Sequence, residues 1–243
     1  MYKLTRRVLE ILVPRGYRVL ITTKSSLVAR DADILAEGNA AVTITVTTMD
    51  DVLAKRLEPG APPPSERIEA MRELVEHGVP VGLRLDPILP GINDSEESIE
   101  EVLKAAREAG VRFVVTSTYK ARPDNLKRVL AAFPHLRELY KQLYLRKGRW
   151  IRGYWYLPEE LRREIILRVR RAALRLSFEF ATCREGFVEL HTAASCDGSH
   201  LIPERLPPPG GVDCKNGGVS LSRLGVSGGN TGLRPPTPGS KRR

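Results

Sequence analysis

Cysteine is scarce in this chain: three occur in 243 residues, Cys183, Cys196 and Cys214. So small and odd a number cannot build a disulfide framework and agrees with a reducing compartment, so the sequence reads as cytoplasmic. Long apolar runs are missing as well. The longest, Val13 to Ile21 and Ala40 to Val46, are broken by Arg, Pro or Thr well before the ~20 residues of a membrane span, so no transmembrane helix and no membrane partner are expected. A secretory signal is also lacking, because Met1-Tyr2-Lys3-Leu4-Thr5-Arg6-Arg7 runs straight into an amphipathic pattern containing Glu10, without a small-residue cleavage site.

What is present is enough apolar residue, 42%, for a real core, and a formal charge of +10. That charge invites a nucleic-acid partner. Six of the basic residues fall between Pro207 and Arg243 against the single acid Asp213, so about half of the excess sits on that segment. Residues 207–243 are rich in Pro, Gly and Ser without apolar periodicity and are expected to form a disordered basic tail. Such a tail serves solubility or loose, salt-sensitive contact with polyanions.

Leu4 to Leu12 carries the spacing of an amphipathic helix, stopped by Pro14 and Gly16. Strands are expected at Tyr17 to Thr23, Ala41 to Thr47, Val79 to Leu85 and Val111 to Ser117, with helices over Asp31 to Glu37, Ser65 to His77 and Ser95 to Ala109. Strands alternating with helices argue for β-α units on a parallel sheet, whose ligands bind at the rim formed by the C-terminal strand ends. That rim carries Thr23-Lys24-Ser25, Thr47-Thr48, Asp86-Pro87 and Thr118-Tyr119-Lys120. Four strands are too few to close a barrel. Residues 1–124 are therefore expected to form a partial β/α barrel, and 125–206 a helical and loop-rich region with an aromatic cluster at Trp150, Tyr154, Trp155 and Tyr156.

On the rim, Lys24 and its two following serines could hold a carboxylate or phosphate, or could be surface residues at a strand end. Asp86 could accept hydrogen bonds from a ribose or an ammonium group, or satisfy turn amides. Thr45 and Thr47 share one side of their strand and offer hydroxyls to a ligand if that side lines the barrel. Separately, Cys183, His191, Cys196 and His200 fall within 18 residues. All four are metal-ligand types, although their spacing matches no standard finger. No residue is singled out as catalytic.

The segments Ile21 to Ser25, Thr43 to Asp50, Leu57-Glu58-Pro59-Gly60 with Arg67-Ile68-Glu69-Ala70, and Gly78 to Asp94 together resemble the radical S-adenosylmethionine superfamily, in its spore photoproduct lyase-like branch. The resemblance implies a partial β/α barrel with a helical C-terminal extension. It also implies S-adenosylmethionine as cofactor, and a 4Fe-4S cluster that reduces it to a radical abstracting hydrogen, with a nucleic-acid lesion as substrate by analogy. By matching motif, Lys24 with Ser25, Thr45 or Thr47, and Asp86 would face S-adenosylmethionine. The family's Cys-x3-Cys-x2-Cys ligand motif is absent, since the three cysteines lie 13 and 18 residues apart. The expectation is therefore an N-terminally incomplete enzyme, inactive alone and completed by a missing N-terminal half or partner subunit. The alternatives are a non-catalytic nucleic-acid-associated module, or a small metal-binding protein built on Cys183 to His200.

Overall fold

The computed structural model describes residues 4–204. In chain order they form α1 (Leu4–Leu12), β1 (Val19–Thr23), α2 (Ala32–Glu37), β2 (Ala40–Thr45), α3 (Asp51–Leu57), α4 (Pro64–Glu76), β3 (Val81–Ile88), α5 (Glu96–Glu108), β4 (Phe113–Thr118), α6 (Pro123–Ala132), α7 (Arg137–Tyr140), β5 (Arg149–Ile151), β6 (Tyr154–Tyr156), α8 (Glu159–Arg175) and β7 (Glu179–Thr182). One sheet of five parallel strands runs in the order β1-β2-β3-β4-β7, and β5-β6 is a separate antiparallel hairpin. This is the expected α/β architecture with a partial barrel sheet. Two parts of it differ from the sequence reading. A fifth parallel strand, β7, comes from the stretch expected to be helical and loop-rich, and the aromatic cluster folds as a hairpin. The expected tail, 207–243, lies outside the described residues.

Alternation along the strands assigns the two faces. Val42, Ile44, Leu83, Leu85, Val114 and Phe180 are fully buried within the main core, beneath helices that include α4, α5 and α8. The opposite face carries Thr22, Thr43, Gly82, Arg84, Phe113, Val115 and Ala181, paired across the register Thr22↔Thr43↔Gly82↔Phe113. Residues 193–202 lie over its lower half, where Ala193 and Leu201 pack on Phe113 and Val115. The approach is close. A Cβ on Gly82 would stand 2.7 Å from Phe113 Cδ1, and one on Gly198, whose φ is +94°, 2.7 Å from Thr43 Cγ2. Glycine is required at Gly198 for both reasons.

Helix α8 packs against β4, β7 and α5, and β1 and β7 are the two outer strands of the sheet among the described residues. Helix α1 buries Leu9 and, just beyond its end, Val13. Its Leu4, Val8 and Ile11 are exposed rather than packed with them. Among the described residues no helix is long and apolar enough to cross a membrane.

Short elements depend on their caps. Asp50 begins α3 by accepting from the Val52 and Leu53 N–H groups at 2.8 and 3.0 Å, satisfying two of the helix's free donors. Asp50→Ala is expected to lower stability by about 1 kcal/mol, read as a lower urea midpoint with an unchanged slope.

Candidate functional site at the C-terminal rim

Right-handed β-α crossovers bring the C-terminal ends of β1 to β4 to one rim. A cavity of about 270 Å³ opens there between α3 and α6, lined by Thr47, Leu57, Glu58, Pro87, Leu89, Tyr119, Asn125, Arg128 and Val129. That is near the small end of the ~300–1,000 Å³ range of ligand pockets. Its walls are largely apolar, with a few polar groups among them.

Thr47 is the informative one. It is 3% exposed, its carbonyl accepts from Asn93 Nδ2 at 2.8 Å, and its Oγ1 is buried without a hydrogen-bond partner. A buried hydroxyl with no partner costs about 1–3 kcal/mol. Glu58, beside it, is bound by two cations. Lys24 Nζ lies 3.2 Å from Oε1, and Arg67 donates to Oε2. Arg67 is 1% exposed and also donates to the Pro62 carbonyl at 2.8 Å and the Thr45 carbonyl at 3.0 Å. Tyr119 donates its hydroxyl to Asn125 Oδ1 at 2.7 Å, and burial pushes its phenol upward, so the ring stays neutral on the wall.

The sequence-derived positions therefore spread around this cavity unequally. Thr47 lines it. Lys24 stands one ion pair away through Glu58, and Thr45 one hydrogen bond away through Arg67. Asp86 precedes the wall residue Pro87 but turns to the open sheet face, where Arg84 donates to it at 2.9 Å and Ser117 Oγ also donates. Ser25 is elsewhere, because its Oγ accepts from the Leu27 N–H to cap a 3-10 turn over Ser26–Asp31 and it borders a different cleft beside β1. Glu58, Asn125 and Arg128 were not foreseen as site residues. Glu58 lay in the Leu-Glu-Pro-Gly motif, whose position after β2 was the available signal.

The Cys183 to His200 residues are not gathered into one ligand set. Among the described residues no three His, Cys, Asp or Glu side chains come together to hold a metal. His191 Nε2 accepts from the Thr182 N–H at 3.0 Å, and burial lowers its pKa. His200 Nδ1 pairs with Ser195 Oγ at 2.7 Å and its ring stands edge-on to Phe113. Cys183 and Cys196 are free and both pack on the small cluster around Phe113 and Val115, and the Cys196 thiol is pushed up first by burial. Each imidazole is committed to a neighbour on the strand or turn beside it. Cys214 lies outside the described residues.

Below the cavity, Glu185 is fully buried at the end of β7. It accepts from Lys120 Nζ at 2.7 Å, Arg162 Nη1 at 2.9 Å, the Thr118 N–H at 2.7 Å and Thr118 Oγ1 at 2.9 Å. One carboxylate thus joins β4, β7 and α8.

Comparison with known proteins agrees with this architecture. Residues 1–106 match the Radical SAM superfamily. An uncharacterized protein of Acidianus two-tailed virus, ORF301, is 29% identical over 170 residues, covering 64% of this chain and 56% of its own. A Methanocaldococcus jannaschii protein, MJ0683, is 35% identical over 101 residues, covering 41% of this chain and 39% of its own. The chain thus spans roughly half the length of these relatives or less. Among solved structures, spore photoproduct lyase complexed with dinucleoside spore photoproduct superimposes with a TM-score of 0.57 at 16% identity, over 73% of this chain and 54% of the other. This likeness is one of fold.

Proposed function

We propose that this chain, whose residues 1–106 belong to the radical SAM superfamily, binds S-adenosylmethionine in the rim cavity between α3 and α6. The observation that carries the reading is Thr47 Oγ1, buried in the cavity wall without a partner. The donor set suits the cofactor. Leu57, Pro87, Leu89 and the Tyr119 ring offer apolar surface to a base, Thr47 and Asn125 offer hydroxyl and amide to a ribose or base edge, and Arg128, paired with Asp124 at 3.0 Å, offers its remaining N–H donors to a carboxylate. Lys24, Arg67 and Glu58 hold the wall in place rather than competing for the ligand.

A 4Fe-4S cluster does not fit the residues present, because the sequence lacks three closely spaced cysteines and the described residues assemble no ligand group. Hydrogen abstraction needs that cluster to supply the electron, so the activity proposed for this chain by itself stops at cofactor binding. A nucleic-acid lesion remains the proposed substrate class of a complete enzyme.

The test exploits a difference in sign. Thr47→Val removes a hydroxyl that has no partner in the chain, so stability is expected to stay level or rise. S-adenosylmethionine affinity, measured by calorimetric titration, is expected to fall about three- to tenfold for one lost hydrogen bond. Equal affinity in wild type and variant, or no binding to wild type, would remove the reading.

A further inference from the structure

The hairpin β5-β6 is unusual in composition. Between Leu139 and Pro158 the sequence contains no Asp or Glu, but five Lys or Arg residues and both tryptophans of the chain. Strand β5 is exposed along its whole length, and Trp150 is 52% exposed. Arg146, Lys147, Arg149 and Arg152 are exposed and form no ion pair among the described residues. Elsewhere some exposed basic residues are paired with acids, as at Arg163–Glu189 and Arg128–Asp124, and others, such as Arg7, Lys55 and Lys127, are not, so the hairpin is set apart by its lack of acidic residues rather than by unpaired cations alone. The half-exposed indole, bracketed by Arg149 and Arg152 in a stretch without acidic residues, puts apolar ring surface and positive charge in one place.

The tip adds a second sign. The two-residue turn is Arg152-Gly153, with φ of +48° and +87°, the left-handed pair that a tight hairpin requires and that Asn-Gly or Gly-Gly normally supplies. Arginine there costs roughly 1 kcal/mol of backbone strain. Arg152 is exposed at the tip of the hairpin.

The hairpin is fastened firmly to the rim. Ala121, just past β4, exchanges two backbone hydrogen bonds with Trp155 at 3.0 and 2.8 Å. The Tyr156 ring lies against Lys120 and Arg162 at 5.4 and 5.6 Å, the cations that hold Glu185. Arg122 and Arg184 both stack over Tyr154 at 5.3 and 5.6 Å. Arg184 is itself left-handed, at φ +56°. Trp150 meets Trp155 edge to face at 4.5 Å, which stiffens the exposed indole without burying it. The result is a hairpin fastened at Ala121, two residues past the cavity-lining Tyr119, that offers an exposed indole between cations.

We infer that this hairpin is a docking surface for single-stranded nucleic acid, with a base stacked on Trp150 and phosphates held by Arg149, Arg152 and Lys147. Stacking with flanking cations is the chemistry by which unpaired strands are held without sequence preference. A lipid surface would meet the same charges, but the hairpin places its rings beside a concave site rather than on an apolar face broad enough to enter a bilayer. The surface is separate from residues 207–243, to which charge alone pointed, and the inference does not rest on S-adenosylmethionine binding.

The two tryptophans make the test direct, since a base stacked on Trp150 quenches the emission of the full chain. Titration with an oligothymidylate of about 12 nucleotides, without S-adenosylmethionine, is expected to quench and to saturate. Trp150→Ala should weaken binding about tenfold, followed by anisotropy of a labelled oligonucleotide. Arg149→Ala with Arg152→Ala should weaken it and lower the slope of log affinity against log salt by roughly 1–2. All three side chains are exposed, so the fold is expected to persist, which circular dichroism checks. Failure of the wild-type chain to bind, or binding as tight as wild type by a variant that combines Trp150→Ala, Arg149→Ala and Arg152→Ala, would overturn the inference. So would a blue shift on phosphatidylserine vesicles that the oligonucleotide cannot compete away. None of these results bears on the Thr47→Val experiment.

Discussion

Glu185→Ala is expected to destabilise the chain by about 3–5 kcal/mol, more than any single loss of a core methylene, because it leaves two buried cations without their counter-charge. Lys120 and Arg162 have side chains 3% and 10% exposed and share this carboxylate, whose own side chain is fully buried. The Thr118 N–H and hydroxyl lose their acceptor in the same step. Glu185→Gln separates the contributions. It keeps an oxygen for Thr118 but removes the charge, so its effect should fall between wild type and alanine. Both tryptophans lie on the hairpin that Tyr156 fastens to Lys120 and Arg162, so urea unfolding followed by tryptophan emission reports the region directly. A loss below about 1 kcal/mol for Glu185→Ala would show that water reaches the two cations and that the network is not dry.

The reason Glu185 could not be read from the sequence is distance along the chain. Its partners lie 65 and 23 residues away, and the Cys-Arg-Glu-Gly run, although part of the family resemblance, shows nothing of that partnership until β7 brings it alongside β4. Strand β7 itself has four residues, Glu179 to Thr182, without a repeated alternation, and is held by pairing with Phe113 to Thr116 rather than by local preference. By contrast β2 was legible, because Thr alternates with Val and Ile and each set meets a different face. Helix α3 was missed although Asp50 carried its cap, since a seven-residue helix beside a strongly β-branched run offers little periodicity. The hairpin was visible only as a group of aromatics, because its turn carries arginine where asparagine or glycine would have announced it. Of the site, the rim positions followed from strand order alone, and Thr47 fell on the cavity for that reason. Which of Lys24, Ser25 and Asp86 faced a ligand depended on competing bonds, from Glu58, the Leu27 N–H and Arg84, that pattern does not reveal.

Arg67 carries the other large expected effect, because it couples the fold to the cavity. Its guanidinium fills three needs at once, the Pro62 carbonyl, the Thr45 carbonyl and the Glu58 carboxylate, in the forked geometry that only arginine presents. Arg67→Ala strands the Pro62 and Thr45 carbonyls, leaves Glu58 to Lys24 alone and opens a void beneath α4, with an expected loss of about 3–5 kcal/mol. Arg67→Lys should recover little, since one ammonium on a flexible stem cannot reach acceptors on three segments together. Arg67→Met keeps most of the volume and is the sharper variant. Lys24, 44% exposed, then holds Glu58 alone and is screened by water, so the carboxylate is free to swing into the cavity beside Thr47. The expected result is a moderate loss of stability together with S-adenosylmethionine affinity reduced about tenfold or more, measured at a temperature where circular dichroism shows the variant folded. Were Arg67→Met to bind as wild type does while being less stable, Arg67 would serve the fold alone and the cavity wall would be set by α3 and α6.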